Sequence, residues 1–274
     1  MTRTILITGC SSGIGHDAAH RLAARGWRVF AACRRAEDAA RLTAEGLEGL
    51  TLDLACSDSI AAALAEVLSR SGGRLDALYN NGAFAIPGAV EDLSRDALRH
   101  LFETNLFGTH ELTARAIPVM RARGAGRIVT CSSVLGFAAL PWRGAYVASK
   151  FALEGLTDTL RREMAGTGIH VSLIEPGPIT SDFRRNAARQ FDRWIDWRAS
   201  PRAAQYEAEL IPRLHSTARD AHELPASAVT ARLIHALESP RPRPRYFVTR
   251  PTWLAAAAVR LLPTRALDRV LAGR

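Results

Sequence analysis

Residues 4–15 read TILITGCSSGIG, an apolar run followed by a turn that contains three glycines. The run Thr4 to Ile7 is typical of a buried strand, and the apolar spacing after Gly13 is typical of a helix. Glycine permits a tight turn and a close approach of another molecule, and the free N–H groups at a helix N-terminus attract a pyrophosphate. The stretch therefore predicts the first unit of a dinucleotide-binding sheet, with a plain turn and helix cap as the alternative.

The rest of the chain alternates short apolar runs with longer helical ones. Strands are predicted near residues 4–7, 28–32, 50–52, 75–79, 127–131, 169–174 and 245–248, and helices at 13–25, 57–70, 95–122 and 144–165. Strands separated by helices imply right-handed crossovers and a parallel sheet covered on both faces. We therefore expect an α/β fold, a doubly wound (Rossmann) domain with a seven-stranded parallel sheet.

No repeat and no Pro- or Gly-rich linker divides the chain, so residues 1–250 are expected to form one dinucleotide-binding and catalytic domain. Residues 177–224 carry Phe183, Phe191, Trp194 and Trp197 among many arginines, which is typical of a lid over a site. Residues 251–274 are apolar and basic, with an apolar run only half the length of a membrane span. This extension could pack on the lid, join a dimer or lie on a membrane surface.

The composition indicates a globular protein, because 47% of the residues are hydrophobic and 23% are charged. Met1-Thr2-Arg3 leads directly into the first strand with no signal peptide, which predicts a cytoplasmic location. The four cysteines lack C-x-x-C spacing, so reduced thiols are favoured over disulfides or a zinc site.

The net charge of +9 is concentrated at one end of the chain. Residues 1–181 hold 19 basic and 18 acidic side chains, whereas the last 93 residues hold 17 and 9. This excess suits an acidic partner, an anionic ligand, a membrane surface or simply a solvated face. No nucleic-acid recognition motif accompanies it, so nucleic-acid binding is not expected.

The second predicted strand ends in Ala31-Ala32-Cys33-Arg34-Arg35, where an enzyme that uses NAD would carry an acid for the ribose 2′-hydroxyl. Two guanidinium groups suit a 2′-phosphate instead, because arginine binds phosphate with paired hydrogen bonds. NADP(H) is therefore favoured over NAD. If both arginines are only solvated, the cofactor preference stays open.

Lys150 is the only lysine in the chain, against 35 arginines. It follows Tyr146 by four positions, so on a helix the two side chains lie on one face. A compact ammonium can act on the phenol in a way that the planar fork of arginine cannot. A phenol has an ordinary pKa of about 10, and a nearby positive charge would lower this pKa toward the range that proton transfer requires.

The order of these motifs resembles that of the short-chain dehydrogenase/reductase family over nearly the whole chain. The matching positions are Thr8 to Gly15, Asp53, Asn80-Asn81-Gly82-Ala83, Asn105, Ser133, Tyr146 to Lys150, and Pro176-Gly177. Two positions depart from the family pattern. The usual N-N-A-G is N-N-G-A here, and Ser12 stands where many NADP-using members have a basic residue, so the NADP preference rests on Arg34 and Arg35.

The resemblance implies a role for each matching residue. The catalytic residues would be Asn105, Ser133, Tyr146 and Lys150. The cofactor would be held by Gly9, Ser11, Ser12, Gly13, Ile14, Gly15, Arg34, Arg35, Asp53, Leu54, Asn81, Gly82, Tyr146, Lys150, Pro176, Gly177 and Ile179.

The segments beside these residues supply four aromatic candidates for a substrate pocket: Phe84, Phe137, Trp142 and Phe183. Mostly apolar walls favour a lipophilic aldehyde, ketone or alcohol. The runs VEDLS at 90–94 and LIEPGP at 173–178 resemble the branch of the family that contains bacterial NADP-dependent aldehyde reductases and animal hydroxysteroid and retinol dehydrogenases.

We therefore expect an NADP(H)-dependent carbonyl reductase that forms a homodimer or homotetramer. Two alternatives remain: a ketoacyl reductase that acts on an acidic carrier protein, and a cofactor-sensing protein without turnover. No metal site is expected, because His16 and His20 are four residues apart but the sequence offers no third ligand.

Overall fold

The computed structural model describes residues 2–271. Met1, at the start of the predicted domain, and residues 272–274, at the end of the predicted extension, lie outside the described residues. The strands are β1 (Thr4–Thr8), β2 (Arg28–Cys33), β3 (Glu48–Thr51), β4 (Ala77–Asn80), β5 (Gly126–Cys131), β6 (Ile169–Glu175) and β7 (Arg245–Phe247). The helices are α1 (Gly13–Ala23), α2 (Ala36–Ala44), α3 (Ser57–Ser71), α4 (Arg95–Phe102), α5 (Thr109–Ala122), α6 (Gly144–Glu163), α7 (Phe183–Trp194), α8 (Ala203–Gln205), α9 (Ile211–His215), α10 (Ala226–Glu238), α11 (Arg250–Leu261) and α12 (Thr264–Leu271).

All seven strands form one parallel sheet in the order β3-β2-β1-β4-β5-β6-β7. The prediction of a seven-stranded, doubly wound parallel sheet is confirmed. The chain builds outward from β1 in one direction and from β4 in the other, so the strand order reverses between these two neighbours. A crevice opens at such a reversal, beyond the carboxyl ends of the strands.

The two faces of the sheet bury separate apolar cores because successive side chains of a strand point to opposite sides. Ile5 and Ile7 of β1 pack with α1, α2 and α10 on one face. Leu6 packs with α3 and α5 on the other. Strands buried on both faces lack a polar alternation, which is why they appear in the sequence as continuous apolar runs.

Residues 177–224 contain three helices, α7, α8 and α9, where the sequence indicated only an aromatic and charged insertion. The two ends of the segment meet: Ile179 and Leu224 form a parallel bridge, and the Thr180 N–H donates to the Leu224 carbonyl at 3.0 Å. Phe191, Tyr206 and neighbouring apolar residues of these helices pack with Leu101 and Ala145 in a core that the segment shares with α4 and α6. We call residues 177–224 the lid segment.

The extension forms α11 and α12. Trp253 of α11 packs edge-on against Phe247 of β7, with ring centroids 4.8 Å apart, so α11 is anchored at the edge of the sheet. Leu254 and Leu261 remain largely exposed, at 71% and 79%. Among residues 2–271 no helix is both long enough and apolar enough to cross a bilayer.

Candidate active site

The turn between β1 and α1 depends on glycines at positions where a side chain would collide with backbone. Gly9 has φ +72°, and a Cβ there would lie 2.7 Å from the Gly82 Cα. A Cβ on Gly15 would lie 2.3 Å from the Gly9 carbonyl oxygen. The turn is therefore tightly packed against the end of β4. At the N-terminus of α1, where N–H groups suit an anionic group, Gly13 faces Ser181 of the lid segment, and a Cβ on Gly13 would lie 3.0 Å from the Ser181 Cβ.

Hydrogen bonds tie this turn to the end of β4. The buried Thr8 hydroxyl accepts from the backbone N–H groups of Asn81 and Gly82, at 3.0 and 2.9 Å. The Asn81 side-chain amide donates to the carbonyls of Thr8 and Gly9, at 3.0 and 3.2 Å. The reversed order Gly82-Ala83 therefore leaves the junction intact, although a Cβ on Gly82 would lie 3.1 Å from the Leu54 Cδ1 and 3.3 Å from the Thr8 hydroxyl oxygen.

Asp53 and Leu54 lie beyond β3, beside the same crevice. The Asp53 carboxylate accepts from the Ala55 N–H at 2.9 Å, which fixes the loop that follows β3. Leu54 is buried and approaches Gly108 so closely that a Cβ on Gly108 would lie 1.7 Å from the Leu54 carbonyl oxygen. These two predicted cofactor residues are thus held in place by local hydrogen bonding and close packing.

Arg34 and Arg35 have different surroundings at the end of β2. Arg35 donates to Asp38 at 2.8 Å and is thereby committed to the first turn of α2. Arg34 is exposed, and within residues 2–271 it has no hydrogen-bond or ion-pair partner. Arg41, which the sequence did not single out, donates to the Ser11 carbonyl at 2.7 Å and braces the glycine turn from α2.

Lys150 is buried on α6 with 2% of its surface exposed, and its Nζ donates to the Cys131 carbonyl at the end of β5 at 2.8 Å. Burial lowers the pKa of this ammonium, while the nearby Glu154 carboxylate raises it. The Nζ lies 5.6 Å from the centre of the Tyr146 ring. The helical spacing therefore places the two side chains next to each other, as the sequence predicted.

Burial raises the pKa of the Tyr146 phenol above its ordinary value, and a hydrogen bond with the Ser133 side chain partly lowers it. We expected the Lys150 charge to lower this pKa, but burial dominates in this arrangement. Only 7% of Tyr146 is exposed, and the ammonium is engaged by the Cys131 carbonyl. The phenol therefore keeps its proton at neutral pH.

Asn105 is buried in a π-helical turn, Glu103–Gly108, between α4 and α5. Its side chain pairs with the backbone of Phe84 in both directions: the amide donates to the Phe84 carbonyl at 2.8 Å, and the Oδ1 accepts from the Phe84 N–H at 3.0 Å. The amide also donates to the Ser149 hydroxyl on α6. Asn105 thus joins the loop after β4 to α6, the helix that carries Tyr146 and Lys150. π-Helical turns often occur at functional sites.

A buried cluster of charges lies behind Lys150. Arg245 on β7 donates to the carboxylates of Glu154, Asp158 and Glu175. Glu175 is fully buried and precedes Pro176-Gly177. Burial and the neighbouring Glu154 raise the pKa of Glu175 to about 8. Arg161 also pairs with Asp158, but Glu154 and Glu175 share the one guanidinium of Arg245, so Glu175 holds a proton near neutrality.

The four predicted substrate residues make different ring contacts. Phe183 contacts the Tyr146 ring edge-on, with centroids 5.4 Å apart. The Phe84 ring packs on His100, and Trp142 packs on Tyr206 within the core of the lid segment. Phe137 packs against Phe247 near α11. Phe183 is thus the one of the four whose ring has a recorded contact with the Tyr146 ring.

Two features near the lid segment were missed at the sequence level. Tyr206 donates to Asp92 at 2.6 Å and accepts from the Ala89 N–H at 2.8 Å, which anchors the segment to the sheet domain. Arg143, three residues before Tyr146, is mostly buried, and burial together with Arg213 and Arg184 lowers its pKa to about 10. The first depends on contacts between residues more than 100 positions apart, and the second on burial, so no local pattern would reveal either.

The sequence profile described as short chain dehydrogenase matches residues 3–191. The chain belongs to the short-chain dehydrogenase/reductase family. It is 40% identical to the uncharacterized oxidoreductase YbbO of Escherichia coli K12, over all of this chain and 95% of that protein. It is 36% identical to human 17-beta-hydroxysteroid dehydrogenase type 1, over 91% of this chain and 78% of that one.

Solved structures of the family show the same architecture. A short-chain dehydrogenase/reductase from Burkholderia phymatum in complex with NAD superposes with a TM-score of 0.79, at 26% identity over 98% of this chain and 95% of that chain. Actinorhodin polyketide ketoreductase with NADPH superposes with a TM-score of 0.73, at 29% identity over 90% and 95%. An oxidoreductase site that takes a nicotinamide cofactor follows from family membership.

Proposed function

We propose that this chain is an NADP(H)-dependent oxidoreductase that interconverts a lipophilic aldehyde or ketone and its alcohol, with Tyr146 as the general acid and base. One observation carries the proposal. The Tyr146 phenol is buried beside Lys150, hydrogen-bonds to Ser133 and lies under the aromatic ring of Phe183. This set of groups can polarise a carbonyl and protonate it.

The residues present fit a nicotinamide cofactor. Gly9 and Gly13 have positive φ in the turn that leads into α1, and the N–H groups at that helix N-terminus suit a pyrophosphate. Lys150 has three ammonium protons and one recorded acceptor among residues 2–271, the Cys131 carbonyl, so further N–H groups are free for ribose hydroxyls. When bound, the cofactor supplies the hydride.

The proton would come from Tyr146. The raised pKa keeps the phenol protonated at neutral pH, which suits the acid that carbonyl reduction requires. The Ser133 hydroxyl would hold the carbonyl oxygen within reach of the phenol, and the phenol proton would pass to that oxygen. Lys150 would then stabilise the phenolate that remains, and Asn105 would keep the loop at Phe84 in place.

Arg34 supports the preference for NADP(H). It is exposed at the end of β2 and without a partner in the described chain, whereas Arg35 is paired with Asp38. We assign binding of the 2′-phosphate to Arg34, with Arg35 in a structural role. Removal of the Arg34 side chain would weaken NADPH binding and leave NADH binding nearly unchanged.

The surface next to Tyr146 supports a lipophilic substrate. Ala85, Ala187 and Leu135 pack around Tyr146, and Phe183 lies at its edge. Apolar walls bind hydrocarbon and leave the hydrogen-bonding groups to fix the carbonyl. The similarity to a human hydroxysteroid dehydrogenase favours a bulky alcohol or ketone.

A ketoacyl group on an acidic carrier protein is the second candidate. It is favoured by Arg143 and by exposed arginines of the lid segment, among them Arg189, Arg193 and Arg219. Salt screens attraction between exposed charges at separations beyond about 10 Å at 0.1 M. Turnover of a carrier-bound substrate would therefore fall with added salt, while turnover of a small ketone would not.

We also propose a homodimer or homotetramer in the cytoplasm. Phe107 before α5 and Phe151 and Leu156 on α6 are 51%, 44% and 44% exposed, and these apolar side chains suit a face shared between subunits. The four cysteines are free thiols, which suits a reducing compartment. The exposed leucines of α11 suit either that assembly or a membrane surface.

The test is a pair of variants assayed with a panel of long-chain aldehydes, aromatic ketones and steroids. We expect the wild type to oxidise NADPH with members of the panel. Tyr146→Phe should lose at least about 100-fold in kcat, because it removes the proton donor and keeps the ring. Tyr246→Phe is the matched control and should remain active. A wild type that binds NADPH tightly without oxidising it with any carbonyl would favour the cofactor-sensing alternative.

A further inference from the structure

A cluster of metal-binding side chains lies on the outer side of α1. It is far from Tyr146 in the sequence, and no hydrogen bond among residues 2–271 connects it to Tyr146. His16 and His20 are one helical turn apart, and their ring centroids are 4.6 Å from each other. The Nε2 atom of each lies 2.8 Å from the Oε2 of Glu45, the residue that follows α2. The three ligand atoms all lie within 4.8 Å of one another. Tertiary structure therefore supplies the third ligand that the sequence did not reveal.

The donor set has a definite chemical preference. Two imidazole nitrogens and one carboxylate oxygen suit Zn²⁺ and similar transition-metal ions, whereas Ca²⁺ and Mg²⁺ favour oxygen ligands throughout. A zinc ion takes four ligands at about 2.0–2.2 Å, so a water molecule would complete the shell. In the structure the two ring nitrogens contact the carboxylate directly. On binding, the rings would move slightly outward, and the ion would take the place of the protons that they share with Glu45.

The surroundings leave the cluster free to bind an ion. His16, His20 and Glu45 expose 34%, 38% and 29% of their side chains, so an ion can enter from solvent. The nearest acid on α1, Asp17, is occupied by Arg21 and Thr230 and does not compete for the histidines.

The carboxylate is also held from behind. Its other oxygen, Oε1, accepts from the Arg41 Nη1 at 2.7 Å, and the Arg41 Nη2 donates to the Ser11 carbonyl at 2.7 Å. Such outer hydrogen bonds orient a ligand and strengthen metal sites. They also connect Glu45 to the glycine turn, so an ion at this position would stabilise the contact between α2 and the turn.

We propose that His16, His20 and Glu45 form a binding site for one Zn²⁺-class transition-metal ion, a structural site separate from the hydride-transfer site. The proposal does not depend on the proposed function. It assigns the ion no part in the reaction, and it would stand if the chain acted on another substrate or on none.

The test is zinc binding by the full chain after chelator treatment, with any purification tag removed. Competition with a chromogenic zinc chelator would give the affinity and stoichiometry, and Co²⁺ would report the ligand geometry through its visible absorption. We expect one equivalent of Zn²⁺ per chain and a rise in Tm on binding. His20→Ala and Glu45→Gln should each weaken binding at least about tenfold, since each removes one of three protein ligands.

Two variants control for other surface ligands. His110→Ala removes an exposed histidine elsewhere, and Cys56→Ser removes the exposed thiol, so both should bind zinc as the wild type does. Circular dichroism would establish that each variant is folded. The proposal would be overturned if the His16→Ala/His20→Ala double variant bound zinc as tightly as the wild type, or if the wild type took up less than one equivalent at micromolar zinc.

Discussion

The Lys150 ammonium donates a 2.8 Å hydrogen bond to the Cys131 carbonyl, joining α6 to the end of β5 beneath Tyr146. This bond fixes the one lysine of the chain in a site where only 2% of its surface is exposed. A guanidinium is planar and wider, so it could not keep both this bond and the position next to the phenol.

We therefore expect Lys150→Arg to lose at least about 100-fold in kcat with an otherwise good carbonyl substrate. The measurement is steady-state NADPH oxidation, with circular dichroism to establish folding. Arg162→Lys makes the reverse exchange at an exposed position of the same helix and should leave kcat unchanged. Near-normal kcat in Lys150→Arg would show that charge alone suffices.

The contrast between Arg34 and Arg35 gives a test of cofactor preference. Arg34→Ala should lower the ratio of NADPH to NADH efficiency at least about tenfold, because one charge-assisted hydrogen bond to phosphate is worth about 1.5–3 kcal/mol. Arg35→Ala should change the ratio little, since Arg35 pairs with Asp38. The measurement is kcat/KM for both cofactors. Equal effects of the two substitutions would contradict the assignment of the 2′-phosphate to Arg34.

Removal of the Asn105 side chain should lower the free energy of unfolding, and this effect can be measured separately from catalysis. Asn105→Ala leaves the N–H and carbonyl of Phe84 without their side-chain partner in a largely buried place. We expect the free energy of unfolding in urea to fall by about 2 kcal/mol or more. Asn186→Ala at an exposed site of α7 should change it by less than about 0.5 kcal/mol. An unchanged unfolding midpoint in Asn105→Ala would mean that the pairing with Phe84 is energetically neutral.

The raised pKa of Glu175 makes stability depend on pH. Its folded pKa of about 8 exceeds the ordinary value of 4.5, so the folded state binds more protons than the unfolded state between these values. The stability that Glu175 contributes is therefore fully present below pH 4.5, and this contribution is lost as the pH rises through 8. Between pH 5 and pH 8 the contribution of Glu175 should fall by about 3 kcal/mol.

Glu175→Gln should flatten this decline, because glutamine resembles the protonated acid and can still accept from Arg245. The measurement is urea unfolding at pH 5, 6.5 and 8. Glu163→Gln, at an exposed position of α6, should keep the wild-type slope. If Glu175→Gln keeps that slope as well, the pH dependence arises from another group.

Local patterns in the sequence predicted the order of strands and helices, and they also supplied the residues of the candidate site. Both depend on local spacing: an apolar run marks a buried strand, a glycine at positive φ marks a tight turn, and a spacing of four places Tyr146 and Lys150 on one helical face. The seven predicted strands and the helical position of Lys150 agree with the structure. The pattern did not predict the helices within the lid segment, because their apolar residues pack against residues that are distant in the sequence, such as Leu101 and Ala145.

Only the tertiary structure shows which side chains have hydrogen-bond or ion-pair partners and which have none. Arg34 and Arg35 are adjacent in sequence. Asp38 pairs with Arg35, whereas Arg34 has no partner in the described chain. Glu45 meets His16 and His20 across a gap of 25 residues or more. The pKa of Tyr146 is set by burial under the lid segment rather than by the nearby lysine. Each outcome depends on distances between residues from separate elements, and these distances exist only once the helices have packed on the sheet.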